Sequence, residues 1–271
     1  MNRRALLKSL VAGIAIPLAP IGIASATQST GRRLILVELS GANDGLNTVI
    51  PINDKRYFEI RPNIALSKDK VFNIGKELTL NSELRSLDLA FQEGDLAIIQ
   101  GLGYPGQNRS HFKSIALWET GGDGSQAGKN GWLTEDIEDM KGSDTLDAHG
   151  ISLDGGMGVF LSNSGVWLSM TSLNQFRSLS LTTEKLSSNT KVNSANPALS
   201  MIMDRGNTLN NSMASISSKV KKLNRRPDIR YDAGEFGRQA AMAAQLIDAG
   251  IDAPVLKIKL DGFDTHENQI W

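Results

Sequence analysis

Three short apolar segments, LILVEL at 34–39, LAII at 96–99 and VLKIKL at 255–260, are separated by stretches with helical periodicity, and this alternation restricts the chain more than any other feature. Strands alternating with helices predict an α/β fold built on a mainly parallel sheet. The first segment is a nearly continuous apolar run, as expected of a strand covered on both faces. The third alternates apolar residues with Lys257 and Lys259, which places it nearer a sheet edge. In such sheets ligands bind beyond the carboxyl ends of the strands, so the loops after the three segments are where chemistry is sought.

Between the segments, helix signals are specific. Asn81 or Ser82 can cap a helix carrying Leu84, Leu87 and Phe91 on one face and closed by Gly94. Another helix starts near Ser110, passes Trp118 and breaks at Gly121 and Gly122. A long helix follows Pro197. In it Leu209, Met213, Ile216, Val220 and Leu223 repeat at four-three-four-three spacing, a narrow stripe suited to core packing or to a partner, and Asn224 and Pro227 end it. A further helix shows Phe236, Ala240, Ala243 and Ile247 and stops at Gly250. Residues 178–196 are dense in Ser, Thr and Asn and predict a polar surface insertion.

With 271 residues, 40% hydrophobic and 21% charged, the chain can bury a sizeable core. Its formal net charge is zero, so composition offers nothing to nucleic acid. Cysteine is absent, which excludes disulfides, thiolate metal sites and a cysteine nucleophile. Residues 1–26 combine a basic start, an apolar stretch from about Leu10 to Ala24, and Ala24-Ser25-Ala26 as a small-residue cleavage site. The adjoining Arg3-Arg4 resembles a twin-arginine leader, which predicts recognition by the twin-arginine export machinery and a mature domain, 27–271, that is periplasmic or secreted. The leader is short for a membrane span, and it is the chain's one expected membrane contact.

Each apolar segment is followed by a polar cluster. After the first comes SGANDGLNT, in which Asp44 is either a ligand or part of an Asn-Asp-Gly turn. After the second comes GLGYPGQNRSHFKS. Here Ser110 lies where a helix begins, facing unpaired backbone N–H groups, a setting that suits a nucleophile attacking phosphate or sulfate. Arg109 can clamp the oxygens of an anionic ester and His111 adjoins the nucleophile. The alternative is a plain N-cap serine beside a surface histidine. After the third comes Asp264-Thr265-His266, whose carboxylate and imidazole can reach one cation from a loop. Oxygen plus nitrogen suits zinc best, with calcium or magnesium as alternatives, unless the two simply pair with each other. His149, in the acidic stretch SDTLDAHG, reads as a loop residue.

Together the twin-arginine leader, LVELSGANDGLNTVIP, LAIIQGLGYPGQNRSHFKSIALWETG, the GWL at 131–133 and LDGFDTHENQ resemble the bacterial family called domain of unknown function 1501. That family is grouped with the alkaline phosphatase and sulfatase superfamily. The resemblance implies an alkaline-phosphatase-like, doubly wound, mainly parallel α/β domain with a divalent metal at the carboxyl edge of its sheet. It implies that Asp44, Asp264 and His266 bind metal and that Ser110 is the nucleophile. The spacing of Asp264 and His266, and the surroundings of Ser110 and His111, depart from the phosphatase pattern.

A two-metal site needs roughly six protein ligands. The chain offers about half that number, so it is expected to be the inactive, C-terminally incomplete N-terminal part of a longer protein. Two functions stay open: an exported hydrolase of phosphate or sulfate esters, and an exported binding or assembly protein that keeps the fold without the chemistry.

Overall fold

The computed structural model describes residues 32–266, apart from 76–77, 123, 125, 141, 177, 179–196, 223–230 and 232–233. The leader, nearly all of the polar insertion, and Leu223, Asn224 and Pro227 lie outside the described residues. The described chain forms two compact units, one of residues 32–37 and 105–259 and one of residues 38–104 and 260–266. The boundary between them falls near the ends of the first and last strands. No helix among the described residues is long and apolar enough to cross a membrane.

Strand β1 (Leu34–Leu39) forms where the sequence places it. It stands at the edge of a four-stranded sheet, and Leu34, Ile35, Val37 and Leu39 are all exposed. The expectation of a strand covered on both faces is therefore corrected: Leu34 on one face and Ile35, Val37 and Leu39 on the other are all exposed, and apolar composition alone does not report what covers a strand.

The unit that begins at Glu38 has its own small core. Asp54 caps α1 (Lys55–Ile60) by accepting from the Arg56 N–H at 2.9 Å, and Tyr57 on this helix is buried beside Ile50 and Leu66. β2 (Val71–Ile74) and β3 (Leu78–Asn81) pair as an antiparallel hairpin that sequence periodicity did not reveal. Asn81 caps the next turn as expected, accepting from Glu83, but that turn is a 3-10 helix over Ser82–Leu87 before the short α2 (Asp88–Gln92). The segment 96–99 is not a strand. Leu96 and Ile98 lean onto Phe72, Ile74 and Leu80, so the apolar residues are used for packing while their backbone joins no sheet.

In the larger unit, α3 (His111–Thr120) starts after Ser110 and ends at Gly121, which takes the left-handed conformation. α4 (Thr134–Glu138) leads to β4 (Gly150–Ser152), and β5 (Trp167–Ser169) follows. Both strands are only three residues long. α5 (Pro197–Lys221) buries Ser212, Met213 and Ile216, while Leu209 remains exposed, so the core stripe is shorter than the sequence pattern. α6 (Glu235–Asp248) buries Gln239, Met242, Ala243 and Leu246, a face rotated away from Ile247. Both helices pack on Ile151, Leu153, Leu256 and Ile258.

The strand order is β1, β6, β4, β5, with β6 (Val255–Leu260) interior. β4 runs parallel to both β5 and β6. Bonds from Leu34 N–H to the Pro254 carbonyl and from Ser40 N–H to the Leu260 carbonyl, each 2.9 Å, advance along both chains together, so β1 is parallel too. The architecture is thus α/β with a mainly parallel sheet. The expectation that β6 lies near an edge is corrected. Lys257 is buried in the sheet because its ammonium is paired with the Asp154 carboxylate, both side chains being 2–3% exposed.

An unpaired charge left in such a place costs about 3–5 kcal/mol. Asp154→Ala is expected to destabilise the protein by that order in urea unfolding, and adding Lys257→Met to recover most of the loss.

Candidate functional site

In the smaller unit, the loop after β1 meets the loop after β6. Gly41 has φ +96°, and a Cβ built on it would lie 2.5 Å from the Asp264 backbone nitrogen, so only glycine allows this approach. Asp264 and His266 are brought together: His266 Nε2 lies 3.0 Å from Asp264 Oδ1, with both side chains open to solvent. Among the described residues, the non-glycine residues with positive φ are Ala42, at +66°, and His266, at +50°. Both flank this contact in sequence. Such conformations persist where surrounding structure imposes them, and they cluster at functional sites.

Two donors of this kind, oxygen and nitrogen about 3 Å apart, match neighbouring corners of a coordination shell with metal–ligand bonds near 2 Å. The pair thus fits part of a divalent-ion site. Asp44, the third ligand expected, lies in the same unit before a 3-10 turn over Gly45–Asn47. Its carboxylate is ion-paired with Arg61, which the sequence reading did not single out because sixteen residues intervene. The Arg61 guanidinium stacks over the Tyr57 ring at 6.0 Å, and its buried Nε has no acceptor among the described residues.

Ser110, Arg109 and His111 belong to the larger unit and are exposed. Ser110 is the N-cap residue of α3, with extended backbone, but its side chain makes no capping bond. Asn108 does the local work instead, its Oδ1 accepting from the Ser110 N–H at 2.7 Å and its carbonyl from Ser114 Oγ at 3.0 Å. Ser110 and His111 thus take the positions of the plain alternative, an N-cap serine beside an exposed histidine, without a capping bond from the hydroxyl. These three residues do not follow directly on a strand, since 96–99 is not one.

The larger unit also gathers charged groups missed in the sequence. Asp154, just past β4, accepts from Ser152 and Lys257 and from the Gly156 N–H at 3.0 Å. Burial pushes its carboxyl up, but those hydrogen bonds prevail and hold it below its ordinary value. At the other end of β4, Asp147 accepts from Ser215 Oγ at 2.6 Å, from the Asp252 N–H at 2.7 Å, and from Lys219.

His149 is a loop residue, as read from the sequence, but not one of the surface. It is buried immediately before β4, where its backbone N–H donates to the Val166 carbonyl at 2.7 Å and its Nδ1 accepts from the Val166 N–H at 2.9 Å. The available signal was Ile151 and Leu153 flanking Ser152, a period-two pattern too short to separate from an acidic loop.

Burial lowers the His149 pKa, outweighing the Glu138 and Asp144 carboxylates that would raise it. A lowered folded-state value means that the unfolded chain takes up the proton first as pH falls. Stability from this residue is therefore present above about pH 6.5 and lost below it, whereas the buried carboxylates act only near or below about pH 4. Thermal unfolding followed from pH 7 to pH 5 is expected to show a falling midpoint, and His149→Asn, which keeps an acceptor for Val166, is expected to flatten that slope.

Comparison with protein-family models, curated proteins and solved structures returns no match to this chain.

Proposed function

We propose that the chain is the α/β body of an exported, metal-dependent hydrolase of phosphate or sulfate esters, with an alkaline-phosphatase-like doubly wound fold. The observation that carries this reading is the Asp264–His266 pair, an oxygen and a nitrogen 3.0 Å apart on a loop at the carboxyl end of β6. Ligand sites of parallel sheets sit beyond such ends. In this reading Asp264 and His266 hold a divalent ion, zinc fitting the donor set best, and Asp44 contributes once Arg61 releases its carboxylate.

When bound, such an ion supplies Lewis-acid stabilisation of developing negative charge. The chain's own residues supply the rest. Ser110, whose hydroxyl is free of capping duty, would attack the phosphorus or sulfur atom, and the ester's alcohol oxygen would leave with the electron pair of the bond that breaks. The α3 N-terminus favours the anion, and the Arg109 guanidinium binds two of its oxygens. His111, one residue on, offers an imidazole to take the serine proton.

A second reading, an exported binding or assembly protein, draws support from the first half of α5, where Met201 and Ile202 are 60% and 67% exposed. The two readings separate on chemistry. Zinc titrated into the purified protein is expected to bind, and Asp264→Asn and His266→Ala are each expected to weaken binding by roughly tenfold or more. In a longer version of the protein that completes the ligand set, hydrolysis of an aryl phosphate or aryl sulfate is expected to fall by a factor of about a thousand or more in Ser110→Ala. Retained zinc affinity in both ligand variants, with turnover unchanged in Ser110→Ala, would leave only the binding reading.

A further inference from the structure

A cleft of about 860 Å³ opens in the larger unit at the amino ends of β4 and β5, with α5 along one side. That volume is within the range of about 300–1,000 Å³ typical of small-molecule sites. Glu138, Asp144, His149, Trp167, Arg205 and Asn211 are among the residues that line it. The hydrolase reading uses none of them.

The polar groups are fixed rather than mobile. Glu138 Oε1 accepts from Ser162 Oγ at 2.7 Å and from Trp167 Nε1 at 2.8 Å, and Oε2 accepts from Ser164 Oγ. Three neutral donors thus orient the carboxylate, and among the described residues no lysine or arginine is paired with it. An ionised carboxylate accepts about four hydrogen bonds, so Oε2 keeps a site for an outside donor. His149 Nδ1 is taken by the Val166 N–H, which leaves the ring proton on Nε2, and no described residue accepts it. One directed acceptor and one directed donor therefore remain unused in a cleft walled partly by an indole.

The charge balance narrows the ligand. Asp147 is neutralised by Lys219. Glu138 and Asp144 are then opposed by Arg205, whose guanidinium also donates to the Asn163 carbonyl. The lining is left net negative, which disfavours anions and favours neutral or amine-bearing groups. A ligand that both donates and accepts at each polar position, and presents an apolar face to an aromatic ring, is a saccharide.

We propose that the cleft at the amino ends of β4 and β5 binds a neutral or amine-bearing saccharide, with Glu138 accepting from a ring hydroxyl or amine and His149 donating to one. Recognition here is separate from ester hydrolysis and does not depend on a metal.

The test is calorimetric titration with three probes: cellotetraose, the glucosamine tetramer of chitosan, and a heparin tetrasaccharide. Cellotetraose or the glucosamine tetramer is expected to bind with Kd in the millimolar range or tighter, about −4 kcal/mol or better, and heparin more weakly than either. Glu138→Gln is expected to weaken the binding probe by about tenfold, the order for a charged hydrogen bond. Because Glu138 also holds Ser162, Ser164 and Trp167, a second variant guards against misfolding. Asn211→Arg, on the exposed face of α5, is expected to obstruct the cleft and abolish binding with an unchanged melting temperature. Zinc removal is expected to leave binding unaltered. Failure of both the neutral and the amine-bearing probe to bind at about 5 mM overturns the proposal, as does tighter binding of heparin, or full affinity in the Asn211→Arg protein.

Discussion

The ammonium of Lys257 sits in the middle of a β-sheet, and much of the larger unit is arranged to make that tolerable. Burying an ion there costs several kcal/mol after relaxation unless an opposite charge and further hydrogen bonds meet it. Asp154 supplies the charge, and its own carboxylate is steadied by Ser152 and by the Gly156 N–H. The loop after β4 therefore cannot move independently of β6. β4 is too short to cover β6 along its whole length, and its last bond to that strand runs from the Leu153 N–H to the Lys257 carbonyl. Beyond it, the Lys259 N–H would lack a strand partner. Gln239 on α6 fills the gap, its buried Oε1 accepting at 2.7 Å. A single buried cation thus links a strand, a loop and, through the same strand, a helix.

The amino ends of the strands have a matching clamp. Asp147 and Lys219 form the second acid–lysine pair, joined by Ser215, and Ser212 donates to the Asp147 carbonyl. This matters because α5 buries few apolar side chains for a helix of 25 residues. With Met213 and Ile216 as its main buried apolar residues, polar bonds to one aspartate fix where the helix lies. The cleft at the amino ends of β4 and β5 is bounded by the surface so fixed.

Elements with strong local causes were legible in the sequence, and those made by long-range pairing were not. The cap at Asn81, the stop at Gly121, the helix after Pro197 and the strands β1 and β6 each follow from residues within a few positions. The order of the strands does not. Apolar LILVEL was read as interior and lysine-bearing VLKIKL as peripheral, and the sheet reverses both, because Asp154 lies over a hundred residues from Lys257. β4 and β5 are three residues each, shorter than any period can register. LAII fails for a subtler reason: its alternate residues pack exactly as a strand's would, on Phe72 and Leu80, without a backbone partner. At the candidate site, Asp264 and His266 were legible because they lie two positions apart. Arg61 and His149 were not, since what gives each its role is contributed by residues seventeen positions away.

Backbone geometry adds an argument that composition could not. Ala42 and His266 hold positive φ in the two loops that Gly41 and Asp264 join. Each such conformation costs of order 1–3 kcal/mol at a residue that is not glycine. Ala42, Asp264 and His266 are themselves exposed, so none of them buries its own side chain in return. Strain without a packing return is what a preorganised ligand set would need, because a metal shell tolerates errors of only a few tenths of an ångström in its donors. The same argument assigns Arg61 a holding role. Pairing with Asp44 keeps that carboxylate oriented and its charge balanced, and under the hydrolase proposal a bound cation would have to displace it.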